Sequence, residues 1–303
     1  LKKGANSSKA TLKGRRKYLK GEIQMEVRRS AAAGAFYPLS AKDLNDNIKE
    51  CFRHQLGPGQ SPPSTERIDY YGAVVPHAGY SYSGPIAAHA YYALSGVHKP
   101  QLIIIVGPNH WGIGSSVSVY PSGAWETPMG RVEIDGNAAR YVTEHSIIMD
   151  LDTISHRQEH SIEVQIPFLQ YIYGGDFKIL PITLAIQDQS TSIELGKALA
   201  QTAKLQPTLI IASSDLTHYE THHEAVEKDS RLINAILSLD VSDFYRVLEQ
   251  LNVSACGYGA IGAVMVAVKD LGATVGRLLK YSTSGEVTGD RSSVVGYSSI
   301  VFV

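Results

Sequence analysis

Short runs of consecutive apolar residues punctuate the chain at 71–76 (YGAVVP), 101–107 (QLIIIVG), 177–182 (FKILPI), 208–213 (TLIIAS), 275–282 (VGRLLKYS) and 294–303 (VVGYSSIVFV). Runs of this length, bounded by turn residues, predict strands covered on both faces. Between them, apolar positions recur at helical spacing over about 40–55, 84–95, 136–145, 159–173, 190–205, 219–238, 240–251 and 258–271. Strands alternating with helices predict a three-layer α/β sandwich around a central, mostly parallel or mixed sheet. The Pro/Ser-rich stretch 58–68 lies too near one end to separate two self-sufficient domains. The expectation is a basic extension over 1–27, with Met25 as a candidate start, followed by a single α/β domain over 28–303.

Composition narrows the function classes. Hydrophobic residues make up 44% of 303, enough for a large core, and 28 Lys+Arg against 29 Asp+Glu leave a net charge of −1. A balanced chain gives no general attraction to nucleic acid or to an anionic membrane, and the basic lead-in has no interleaved aromatic ladder. Only two cysteines, Cys51 and Cys256, and no apolar run of about 20 residues point to a reducing, cytoplasmic setting without disulfides. The phosphate-binding GxxxxGK[ST], a strand-linked GxGxxG, GxSxG and paired CxxC are all missing, so no nucleotide cofactor, serine hydrolase or zinc ribbon is expected.

Three of the predicted strands end in polar turns that carry histidine: VVPHAGY (74–80), IVGPNHWG (105–112) and ASSDLTHYE (212–220). In open α/β sheets ligands gather where strand ends meet the following loops. His77 and His110 thus stand in the same relation to two strands, and convergent imidazoles are what a metal site requires. Asp215 and His218 form a D-x-x-H unit that shares one face if the turn is helical. Either the carboxylate orients an acid/base imidazole, or Asp215 or a nearby serine caps the helix expected at 219–238. Cys256 precedes an apolar helix, whose dipole favours a thiolate and metal ligation; a free cysteine is also often a small core residue. HRQEH (156–160) matches the H-x-x-E-H pattern of inverted zinc peptidases, although the helix is expected to begin only near Glu159. Within 159–173, His160 and Glu163 fall on one helical face, able either to support a pocket from behind or to tie the helix to the sheet as a buried polar pair.

Taken together, AGAFYP (33–38), PHAGYSYSG (76–84), GPNH (107–110), EHSIEVQIPFL (159–169), SSDLTHY (213–219) and ACGYGAIG (255–262) resemble the Memo family in kind and in order. The resemblance implies a fold like that of the class III extradiol dioxygenases. It implies a pocket in which His77, His110 and Cys256 hold iron or copper, with zinc also admissible, and Asp215 and His218 stand beside them. Phe36, Tyr37, Tyr80 and Tyr82 sit in matching blocks, with Phe36 and Tyr82 the expected pocket residues, although aromatic residues more often pack a core. The dioxygenases hold iron with two histidines and a carboxylate; a thiolate in the third position shifts preference towards copper(I) or zinc and is itself oxidisable. The expected function is a metal-dependent oxidoreductase with His218 as acid/base and Asp215 as its orienting partner. The alternative is a non-catalytic module that receives a peptide or a protein in the same cleft. The resemblance also implies a functional link to radical-SAM and AMMECR1-domain proteins.

Overall fold

The computed structural model describes residues 26–64, 68–96 and 98–303. Most of the expected extension, with Met25, lies outside them. Val27, expected at the end of that extension, is instead in a strand. Strands β1 (Val27–Arg28), β2 (Gly72–Val75), β3 (Leu102–Pro108), β4 (Val117–Val119), β5 (Ala124–Thr127), β6 (Gly130–Ile134), β7 (Asp150–Leu151), β8 (Lys178–Leu184), β9 (Thr208–Ser213), β10 (His218–Glu220), β11 (Gly276–Thr283) and β12 (Val294–Phe302) form one mixed sheet. Its main path runs β1-β5-β6-β8-β3-β9-β2-β12-β10. The centre, β6-β8-β3-β9-β2, is parallel, and β12 closes on β2 antiparallel.

Helices cover both faces. Consecutive residues of β3 point to opposite sides: Leu102, Ile104 and Val106 enter one core, Ile103 and Ile105 the other. That two-sided burial is why the strand reads as an unbroken apolar run. The first core is completed by α3 (Gly136–Glu144), α5 (Gln189–Ala203), α6 (His222–Leu237), α7 (Val241–Gln250) and α8 (Tyr258–Leu271). The second is completed by α1 (Ala41–Arg53), α2 (Tyr80–Leu94) and α4 (Ile166–Tyr173). A short α9 (Ser284–Thr288) precedes β12.

Two expected helices start later than the apolar pattern indicates, and both differences bear on the site. Residues 159–162 are not helical; a 3-10 turn at Glu163–Gln165 leads into α4, with Pro167 in its first turn. His160 and Glu163 therefore do not share a helical face. Residues 218–220 are strand β10, and α6 begins only after Thr221, whose side chain and that of Glu224 form a capping box. Neither Asp215 nor a nearby serine caps that helix. Strands β4 to β7 are short and lack a long apolar run, so they fall outside the pattern-based expectation. No helix among the described residues is long and apolar enough to cross a membrane.

Candidate metal centre

Neighbouring parallel strands β3, β9 and β2 end at the same edge of the sheet, and the turns after them deliver His110, Asp215 with His218, and His77. Cys256 arrives from the other direction, one residue ahead of Gly257, the N-cap of α8. Gly257 is required there: a Cβ would lie 2.5 Å from the Ser213 carbonyl oxygen. Glycine thus lets the start of α8 press against the end of β9. Atoms of His77, His110 and Cys256 able to bind metal lie within 4.8 Å of one another, and so do those of Asp215, His218 and Cys256. They border a cavity of about 450 Å³, whose walls also include Phe36, His160, Tyr219 and Tyr297.

The hydrogen bonds around the imidazoles fix which nitrogen is free. His77 Nδ1 lies 3.0 Å from Ser213 Oγ. That hydroxyl donates to the Ser161 carbonyl at 2.6 Å and accepts from Gln165 Nε2 at 2.7 Å. Having spent its proton, it accepts from His77 Nδ1, which leaves His77 Nε2 with a lone pair 3.1 Å from Cys256 Sγ. His110 Nδ1 donates to Glu159 Oε1 at 2.8 Å, and its backbone N–H donates to Glu159 Oε2 at 2.7 Å. His218 Nδ1 faces the carbonyl oxygens of Leu216 and Ser254 at 2.7 and 3.0 Å; carbonyls only accept, so Nδ1 carries the proton. In all three rings Nε2 is the donor left over, as in metal sites whose histidines are oriented through the opposite nitrogen. The donor set fits a metal ion.

Burial, together with the neighbouring His160 and His110, holds the His77 pKa well below the ordinary imidazole value. Burial likewise brings His160 down to about 4. Glu159 would be raised by its burial, but the hydrogen bond and charge of His110 and the Ser161 N–H outweigh that and hold it at about 2. Burial pushes Asp215 up to about 6, against the pull of the His77 N–H and the charge of His218. Cys256 corrects the expectation of a dipole-stabilised thiolate: burial first, then the Asp215 carboxylate, push its thiol up. A bound cation would reverse that balance by exchanging for the thiol proton.

The remaining expected residues divide. Phe36 lines the pocket, its ring 4.2 Å from and nearly parallel to that of His160, which in turn stacks 4.7 Å from His110. Tyr82 is half exposed on the first turn of α2 and does not line the cavity. Glu163 faces away from it, accepting from Arg28 Nη1 at 2.5 Å, the Ala31 and Ala32 N–H groups at 2.8 Å each and the Tyr37 hydroxyl at 2.6 Å. Asp215 is not the hydrogen-bond partner that orients His218; its carboxylate instead accepts the His77 N–H at 2.8 Å. The H-x-x-E-H pattern does not make a zinc site: His156 is fully buried between Tyr120 and Trp125, with Nε2 on the Ser118 carbonyl. Among the described residues it joins no cluster of metal-donor atoms.

An α/β sheet whose strand-end turns bring two imidazoles against a thiol at a helix start defines a candidate metal protein. The family model described as Memo-like protein matches residues 28–301, and the chain belongs to the Memo family. A MEMO1 family protein of Nitrosopumilus maritimus is 48% identical over 91% of this chain and 100% of its own length. A MEMO1 family protein of Methanopyrus kandleri is 47% identical over 91% of this chain and 98% of its own. An uncharacterized protein of Escherichia coli K12, solved by crystallography, shares the fold with a TM-score of 0.56 at 13% identity, over 78% of this chain and all of that one.

Proposed function

We propose that His77, His110 and Cys256 hold one redox-active late transition ion, iron or copper, and that the pocket performs an oxidoreductase reaction on a small molecule. One observation carries this reading: the Nδ1 atoms of His77 and His110 are committed to Ser213 and Glu159, which leaves their Nε2 lone pairs and Cys256 Sγ together in one pocket. Two imidazoles and a soft sulfur favour copper(I), iron or zinc over magnesium or calcium. Bound there, the ion supplies electron exchange and polarisation of a substrate. The chain supplies the rest. His218 presents Nε2 to take or return a proton, held in that tautomer by the Leu216 and Ser254 carbonyls. Asp215 fixes the backbone that carries His77.

The test is elemental analysis of protein purified without oxygen, wild type against Cys256→Ser and His110→Ala. Near-stoichiometric iron or copper, abolished by both substitutions, is expected. A wild type that also refuses added iron and copper sinks the reading and makes the peptide- or protein-binding module the better account. Zinc alone removes the redox half.

A further inference from the structure

Three non-glycine residues among those described have left-handed backbone: Tyr219 (φ 61°), Leu239 (φ 54°) and Asn252 (φ 48°). This region is unfavourable for side chains with a Cβ, and asparagine is among the few residue types that tolerate it. Leu239 offsets its strain by burial in the first core. Tyr219 has neither compensation. It is a large aromatic residue with 79% of its surface exposed.

The strain has a local origin. In the β10–β12 pair, His218 faces Val295 and Glu220 faces Val294, so Tyr219 is the extra residue of a β-bulge. A bulge residue in this conformation is ordinarily glycine, and bulges beside sites re-aim a side chain. Here the residue re-aimed lines the metal-donor pocket, with Phe36, Val295 and Tyr297 as other apolar walls and no lysine or arginine among the lining residues. Its ring is tilted 65° to that of His218 at 5.7 Å, leaving its faces unstacked on that neighbour.

We infer that Tyr219 is a ligand-contacting residue: its ring stacks on the outer part of a planar, uncharged or aromatic molecule whose inner end sits at the donors of His77, His110 and Cys256. The placement of that inner end rests on the metal-centre reading. The strained backbone is retained because glycine, which the bulge prefers, removes the wall.

The test uses imidazole and 4-phenylimidazole, which share a metal-binding nitrogen but differ by one ring, titrated calorimetrically into cobalt(II)-loaded and metal-free protein. In wild type the phenyl compound is expected to bind about fivefold tighter, the scale of one aromatic stacking contact. Tyr219→Phe keeps that ratio; Tyr219→Gly reduces it below about twofold while melting about 2 °C higher than wild type, because relief of the left-handed strain outweighs the added chain entropy. An unchanged ratio in Tyr219→Gly overturns the inference. So does a melting temperature several degrees lower, which makes the ring a structural element. Failure of the metal-centre reading shows separately, as uptake of none of iron, copper and cobalt by wild type, and the ratio is then read on the metal-free protein.

Discussion

The Glu159 carboxylate grips His110 twice, accepting Nδ1–H on one oxygen at 2.8 Å and the backbone N–H on the other at 2.7 Å. The same carboxylate accepts the Ser161 N–H at 2.9 Å, so the turn after β3 is tied to the loop before α4. Such a carboxylate fixes the imidazole tautomer and raises its basicity as a ligand. Glu159→Gln keeps the shape and removes the charge. Metal affinity is expected to fall about 10- to 100-fold, read by competition with a chelator of known strength. Unchanged affinity would show that His110 is not a ligand or that its orientation is set elsewhere.

Acid should destabilise the fold partly through His156. Burial and the nearby Arg28 lower its pKa to about 3 in the folded protein, whereas an unfolded histidine protonates near 6.5. Between those values the unfolded chain holds the extra proton, so this contribution to stability is complete above about pH 6.5 and is lost as pH falls. The slope is about 1.4 kcal/mol per pH unit for one proton. His77 and His160, also lowered, act in the same direction. Urea unfolding measured from pH 7 to pH 4 should show a slope smaller by about one proton in His156→Leu than in wild type.

Metal uptake should release a proton from Cys256. Its thiol is pushed up by burial and by Asp215, so it is protonated at neutral pH without metal. Ligation requires the thiolate. Calorimetric titrations in buffers of differing ionisation enthalpy should give about one proton per ion for wild type and none from this position in Cys256→Ser, and affinity should rise with pH. Equal proton release by both would remove the thiolate from the ligand set.

Arg28 is the anchor behind the pocket. Its guanidinium donates to the His156 carbonyl at 2.6 Å, the Glu159 carbonyl at 2.8 Å and the Glu163 carboxylate, and lies 4.1 Å from the Trp125 ring centroid. Arg28→Met leaves Glu163 buried without its counter-charge, at a cost of about 3–5 kcal/mol. Chemical denaturation would measure it. Lysine should rescue only part, because a single ammonium cannot reproduce the planar fork that reaches three acceptors.

Some of this was legible in the chain. The two-faced burial of β3 and its neighbours imposes continuous apolar runs, and the polar, histidine-bearing turns at their ends mark His77, His110 and His218. Cys256 needed the family blocks, because a small free cysteine before an apolar helix reads more readily as core. Tyr82 was misplaced: a shared block fixes its position on α2, not the direction of its side chain. The late starts of α4 and α6 also escaped the apolar spacing, which extends a helix through residues 159–162 and 219–220. In the folded chain the first segment is held by Arg28 and the Glu159 carboxylate, and the second pairs with β12.

The sequence by itself determined the alternation of strands and helices and the residue types gathered at one sheet edge, because hydrophobic periodicity and turn chemistry are local properties. Only the tertiary structure decided which partner each side chain keeps. Ser213 meets His77 across 136 residues, and Glu159 meets His110 across 49. Those pairings depend on the order in which parallel strands lie side by side, and no local pattern carries that order.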